Sequence, residues 1–114
     1  MAQVIIEKKD GIAILKIKGA FTGSVEELYE PIEHYLGECK NNKITPKIII
    51  DLEKVPFMNA TGLGALIGLR TRTKKLEGSI TLVNPSEKVN RLFTITKLGS
   101  VFTITSMEEA LKNN

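Results

Sequence analysis

The chain has 114 residues, 42% hydrophobic and 25% charged, the composition of one ordinary globular domain with a single core. Its 16 basic and 13 acidic residues are interspersed and leave a formal charge of only +3, which argues against nucleic acid or a membrane as the main partner. Aromatics make up 5% and tryptophan is absent, so little is available to stack on bases or sugars, and the lone cysteine excludes an internal disulfide.

Val4-Ile5-Ile6-Glu7-Lys8 is β-branched, Asp10-Gly11 is a turn signal, and Ile12-Ala13-Ile14-Leu15-Lys16-Ile17-Lys18 follows, ended by Gly19. The pattern predicts an antiparallel hairpin. Ser24 with Glu27 three residues on has the form of a capping box. From there Leu28, Ile32, Tyr35, Leu36 and Cys39 keep helical spacing until Asn41-Asn42, with a kink or a late start expected at Pro31. Lys47-Ile48-Ile49-Ile50-Asp51 reads as a strand buried on both faces of a parallel sheet.

Residues 61–77 read as a helix, apolar in its first half and polar from Arg70 to Lys75, with Gly78 as terminator. Ser79–Val83 is the next strand, and Asn84-Pro85-Ser86 turns into a helix carrying Val89, Leu92 and Phe93 and ended by Leu98-Gly99. Val101–Thr105 is the last strand, and Met107–Lys112 a short helix behind Ser106. Strand and helix alternate from residue 12 onward, which predicts right-handed crossovers and a mostly parallel sheet. No linker or repeat divides residues 1–114, so one domain is expected.

The usual catalytic constellations are missing. His34 is the only histidine and has no second histidine or cysteine at ligand spacing, so a solvated helix residue is expected rather than a metal ligand. Cys39 has no histidine partner and reads as a partly buried thiol. Glu26-Glu27 and Glu108-Glu109 stand in first turns of helices, where they complement the dipole. Arg70, Arg72, Lys74 and Lys75 read as a solvated helix face. No signal segment opens the chain and no apolar run approaches about 18 residues, so a cytoplasmic protein is expected, without cofactor or metal.

The informative stretch is Phe57-Met58-Asn59-Ala60-Thr61-Gly62-Leu63-Gly64-Ala65-Leu66-Ile67-Gly68-Leu69. It carries three glycines inside a helix, each costing about 1 kcal/mol relative to alanine. Gly62-x-Gly64 lacks the third glycine of a dinucleotide fingerprint and no Gly-Lys-Ser/Thr follows, so a phosphate-cradling loop is disfavoured. Asn59 or Thr61 as N-cap, with the glycines packing on the sheet, accounts for much of the stretch. It does not account for a glycine directly after Thr61.

These residues resemble a family. Ile48-Ile49-Ile50-Asp51-Leu52, Val55, Phe57 and Met58-Asn59-Ala60-Thr61-Gly62-Leu63-Gly64 are similar to the central motif of STAS domains, and more narrowly of bacterial anti-sigma factor antagonists. The usual form there is an apolar strand, Asp-Leu, a valine and an aromatic, then Asp-Ser-Ser-Gly-Leu-Gly. The resemblance covers nearly the whole chain, including Gly19 to Leu28, Asn84 to Phe93 and Leu98 to Phe102. It implies a STAS fold: a five-stranded, mostly parallel sheet with an antiparallel N-terminal hairpin strand and about four helices in successive β-α turns.

The resemblance also implies a non-enzymatic function. Such a protein binds an anti-sigma factor, often a serine/threonine kinase, and releases a sigma factor. The kinase phosphorylates the hydroxyl residue before Gly-Leu-Gly, here Thr61, and a PP2C-type phosphatase restores the complex. Partner contacts are accordingly expected at Thr22, Asn59, Ala60, Gly62, Leu63 and Gly64, with a monomer or weak dimer as the working form. Gly62 and Gly64 then read as clearance around Thr61. Asn59 stands for the usual Asp, Ala60 for the first Ser, Thr61 for the modified Ser, and Thr22 roughly where an Asp is expected. The alternative is a STAS-type binding module for a small ligand or protein, without a phosphoswitch.

Overall fold

Asp10 and Gly11 take positive φ, 51° and 82°, and so form the two-residue corner whose twist matches that of flanking antiparallel strands. They join β1 (Gln3–Lys9) to β2 (Ile12–Lys18), with Lys9 opposite Ile12 and Gln3 opposite Lys18. The computed structural model describes residues 2–23 and 25–112. The chain continues through α1 (Val25–Asn41), β3 (Lys47–Lys54), α2 (Ala60–Lys75), β4 (Ser79–Val83), α3 (Glu87–Ile95), β5 (Thr103–Thr105) and α4 (Met107–Lys112).

The five strands lie in chain order, antiparallel between β1 and β2 and parallel thereafter. When each parallel strand is laid beside the last by the same right-handed crossover, successive helices fall on one face. Leu28 and Ile32 of α1, Leu66 and Leu69 of α2 and Phe93 of α3 therefore share a core with Leu15, Ile17, Ile48, Ile50 and Leu82. Ile12, Ile14, Ile49 and Val83 point the other way and are covered by Met107, Ala110 and Leu111 of α4. The run Ile48-Ile49-Ile50 is thus buried on both sides, which is why it is apolar without alternation. This is the α/β architecture the sequence predicts.

Local details depart from that expectation. α1 is already helical at Val25, so Pro31 sits inside a 17-residue helix rather than at a late start. The missing N–H of Pro31 is outweighed by burial of Leu28, Ile32 and Leu36, each contributing roughly 1.5–3 kcal/mol, with Tyr35 and Cys39 buried on the same face. The cap expected at Ser24 lies outside the described residues.

α2 ends at Lys75, and the left-handed residue beyond it is Glu77 (φ 59°), not Gly78. Glu77 N–H donates to Lys74 O at 2.9 Å and Gly78 N–H to Thr73 O at 3.0 Å, the paired bonds of a Schellman end. Gly78 is needed for closeness instead: a Cβ there would lie 2.6 Å from Pro46 O. Likewise α3 stops at Ile95, with Lys97 left-handed (φ 60°) and a 3₁₀ turn over Leu98–Ser100. β5 is shorter than predicted because Phe102 turns inward, packing edge-on to Phe93 with ring centroids 5.8 Å apart.

One polar side chain ties the layers together. The Tyr35 hydroxyl donates to Gly11 O at 2.8 Å and accepts from Lys47 N–H at 3.0 Å, linking α1, the hairpin corner and the start of β3. Burial pushes its pKa up to about 12. Thr73, which the sequence places in a polar half-helix, is fully buried, its hydroxyl donating to Leu69 O at 2.8 Å. Arg72 in that same half is not simply solvated: its guanidinium lies 4.2 Å from the centre of the Tyr29 ring.

Candidate functional site

The site begins where β3 leaves the sheet. Val55 is buried and Met58 nearly so, while Pro56 and Phe57 between them face solvent. Asn59 then takes extended backbone angles (φ −107°, ψ −177°), and its Oδ1 accepts the Gly62 N–H at 2.9 Å. Asn59 is therefore the N-cap, which settles the choice between it and Thr61. Thr61 occupies the second position of α2, exposed and not needed for capping.

A second loop is stitched alongside. Gly19 N–H donates to Lys54 O at 2.9 Å and Phe21 N–H to Phe57 O at 2.8 Å, and Phe21 bridges Met58 in parallel. The β2 strand is in effect prolonged past a break, which carries exposed Thr22 to the start of α2. Phe21 itself is fully buried and its carbonyl lies directly over Gly62. A Cβ at 62 would clash with that carbonyl, and would lie 2.9 Å from Phe21 Cδ2 and 3.0 Å from Met58 Cγ.

The residues expected at the contact differ in exposure. Gly62 is buried, and its missing side chain is explained by Phe21 rather than by clearance for a partner. Leu63 is buried in the main core and supports the helix from within. Gly64 differs: a Cβ there would meet nothing within 4 Å, so its face is open. The outward surface consists of Thr22, Phe57, Ala60, Thr61 and Gly64, with Asn59 half-buried among them. Phe57, which the sequence analysis does not count among the expected contacts, is exposed between the buried Val55 and Met58.

The electrostatics are spare. The first turn of α2 holds no acidic residue, so the partial positive charge of the helix start is uncompensated. The Glu27 carboxylate folds over Gly23 at the rim. Elsewhere, exposed His34 lies 3.4 Å from Glu38, whose pKa is lowered by its hydrogen bond to Lys8 and then by the charges of Lys8 and His34. Cys39 is on the buried face of α1, in the main core. A cleft of about 530 Å³ lined by Tyr29, Leu36, Lys40, Arg72 and Lys75 lies at the far end of α2 from Thr61. No helix among the described residues is long and apolar enough to cross a membrane.

The family model for the STAS domain matches residues 3–111, and the chain belongs to that family. It is similar to the anti-sigma-B factor antagonist of Bacillus subtilis (strain 168), with 42% identity over 60 residues, 53% of this chain and 55% of that protein. The anti-sigma-B factor antagonist of Listeria monocytogenes is 32% identical over 65 residues, 57% of each chain. The chain thus spans little more than half the length of these curated relatives. Among solved structures, a candidate anti-sigma factor antagonist of Thermotoga maritima superposes with a TM-score of 0.80 at 21% identity, covering 96% of this chain and 92% of that one. The phosphorylated form of the Bacillus cell fate determinant SpoIIAA gives a TM-score of 0.65 at 21% identity, covering 96% and 97%. At such identities the structural likeness establishes the fold.

Proposed function

We propose that this protein is an anti-sigma factor antagonist that docks an anti-sigma factor through the face around Thr61 and so frees a sigma factor. The observation that carries this reading is the state of Thr61: an exposed hydroxyl, relieved of capping by Asn59, on a helix start without acidic residues. Further support comes from the Bacillus and Listeria relatives, which are anti-sigma-B factor antagonists.

In this reading the partner is a serine/threonine kinase. Its ATP transfers the γ-phosphoryl group to Thr61 Oγ1, the hydroxyl proton passes to a base of the kinase, and ADP leaves. The phosphate carries about −1.5 to −2 charges and sits at the positive end of α2, where the helix tolerates it. The complex is broken instead by the added volume and by the cost of burying a dianion against the partner. A hundredfold loss of affinity requires only about 2.7 kcal/mol, within the reach of one unpaired buried charge. A PP2C-type phosphatase then hydrolyses the ester and restores the hydroxyl.

Intact-mass measurement after incubation with ATP and the anti-sigma-B factor of Bacillus subtilis tests the switch. A gain of one phosphate that disappears in Thr61→Ala is expected. An unchanged mass, or a phosphate that persists in Thr61→Ala, overturns the switch. Binding without any phosphate transfer would leave the second reading, a docking module that is not switched at Thr61.

A further inference from the structure

We infer that Phe57 is the anchor of this docking face, and that the partner meets it with an apolar pocket of aromatic size rather than with a charged surface. The inference rests on the proposed antagonist function and adds to it the chemistry of recognition. Phe57 leaves 50% of its surface in water, a large apolar area two residues before the Asn59 cap of α2 that no other part of the described chain covers. The exposure does not come from a loose loop. Phe57 O accepts from Phe21 N–H at 2.8 Å, Met58 next to it is bridged to Phe21, and Pro56 before it has a fixed φ. An aromatic side chain displayed on a backbone held at both neighbours loses little entropy when it is buried, which is the property of an interface hot spot.

The rest of the face points to the same partner. Thr22, Asn59, Ala60, Thr61 and Gly64 are all uncharged, and Ala60, Thr61 and Gly64 form a low surface on α2 over which a neighbouring chain can close. The Glu27 carboxylate over Gly23 is a formal charge at the rim. The residues of the face itself carry no formal charge for a partner to pair with. The affinity comes from burial of one aromatic ring and exclusion of water around it.

The test is a binding measurement by isothermal titration with unphosphorylated protein and the anti-sigma-B factor of Bacillus subtilis. Phe57→Ala is expected to weaken binding by about 30-fold or more. Ile95→Ala removes an apolar side chain that is 70% exposed on α3, away from the face, and is expected to leave the affinity within about threefold. Thermal unfolding of Phe57→Ala checks that the variant is folded at the measuring temperature. For wild type, the dissociation constant is expected to change by less than about threefold between low and high salt, since screening acts on charges the face does not present. An affinity of Phe57→Ala within about threefold of wild type overturns the anchor. A salt-induced weakening of about tenfold or more overturns the neutral recognition. If wild type does not bind at all, the antagonist reading itself falls, an outcome distinct from equal binding by wild type and variant.

Discussion

Asn59, Gly62 and Gly64 sit within six positions and have different physical roles. Asn59 closes the start of α2 through the Gly62 N–H. Asn59→Ala should lower stability by about 1 kcal/mol, whereas Asn59→Asp keeps the cap and adds a favourable charge at the helix start. Urea titration of the three proteins checks this, and a loss in Asn59→Asp equal to that in Asn59→Ala would contradict the cap assignment. Gly62→Ala drives a Cβ into a backbone carbonyl of Phe21, so the loop carrying Thr22 must move, at a cost of about 1–3 kcal/mol. Gly64→Ala meets open space and should instead stabilise α2 by up to about 1 kcal/mol. Opposite shifts in melting temperature for these two glycine variants are the expected result. If Gly64→Ala also weakens partner binding, its openness belongs to docking.

Where elements meet, the Tyr35 hydroxyl has the most consequence. It satisfies groups on the hairpin corner and the first residue of β3, and burial raises its pKa from 10.0 to about 12. Below pH 10 the phenol is neutral in both folded and unfolded chains and its contribution to stability is fully present. Between pH 10 and 12 the unfolded chain ionises while the folded one does not, so stability falls by up to about 1.4 kcal/mol per pH unit. Tyr35→Phe should flatten that decline at high pH and cost stability at neutral pH, since the Lys47 N–H loses its acceptor. Equal high-pH slopes for wild type and Tyr35→Phe would refute the role. Along the α1–α2 seam, the stacking of Arg72 on Tyr29 also explains why a basic run need not be a nucleic-acid patch.

For the molecule as a unit, every helix packs on one sheet, α1 to α3 on one face and α4 on the other. We expect unfolding in a single transition with coincident far-ultraviolet and near-ultraviolet signals, as one domain requires. A two-step curve would divide the chain. Phosphorylation of Thr61 should leave this transition unchanged or slightly raised, because a dianion at the start of α2 is stabilised by the helix dipole. Loss of helical circular dichroism on modification would contradict a switch that acts at the interface. Sedimentation of the unmodified protein is expected to give a monomer or a weak dimer.

The architecture could be read from the chain because its signals are local. Asp10-Gly11 specifies the corner, the isoleucine run specifies a strand buried on both faces, and Ser86 before Glu87 specifies a capped helix. The proposal of Thr61 as the switched residue likewise rests on a local pattern, its place before Gly62-Leu63-Gly64. What lay beyond the chain's local pattern were contacts between segments distant in sequence. Phe21 approaches Gly62 across 41 positions, so a glycine that reads as clearance for a partner is in fact occupied by the protein's own backbone. Thr73 reads as polar surface, and Gly78 as the helix terminator, until Pro46 and the end of α2 come together: Thr73 is buried, and Glu77 takes the left-handed turn. Exposure of Phe57 was decided in the same way. Val55 and Met58 on either side are drawn inward by the sheet and by Phe21, which leaves the ring outside.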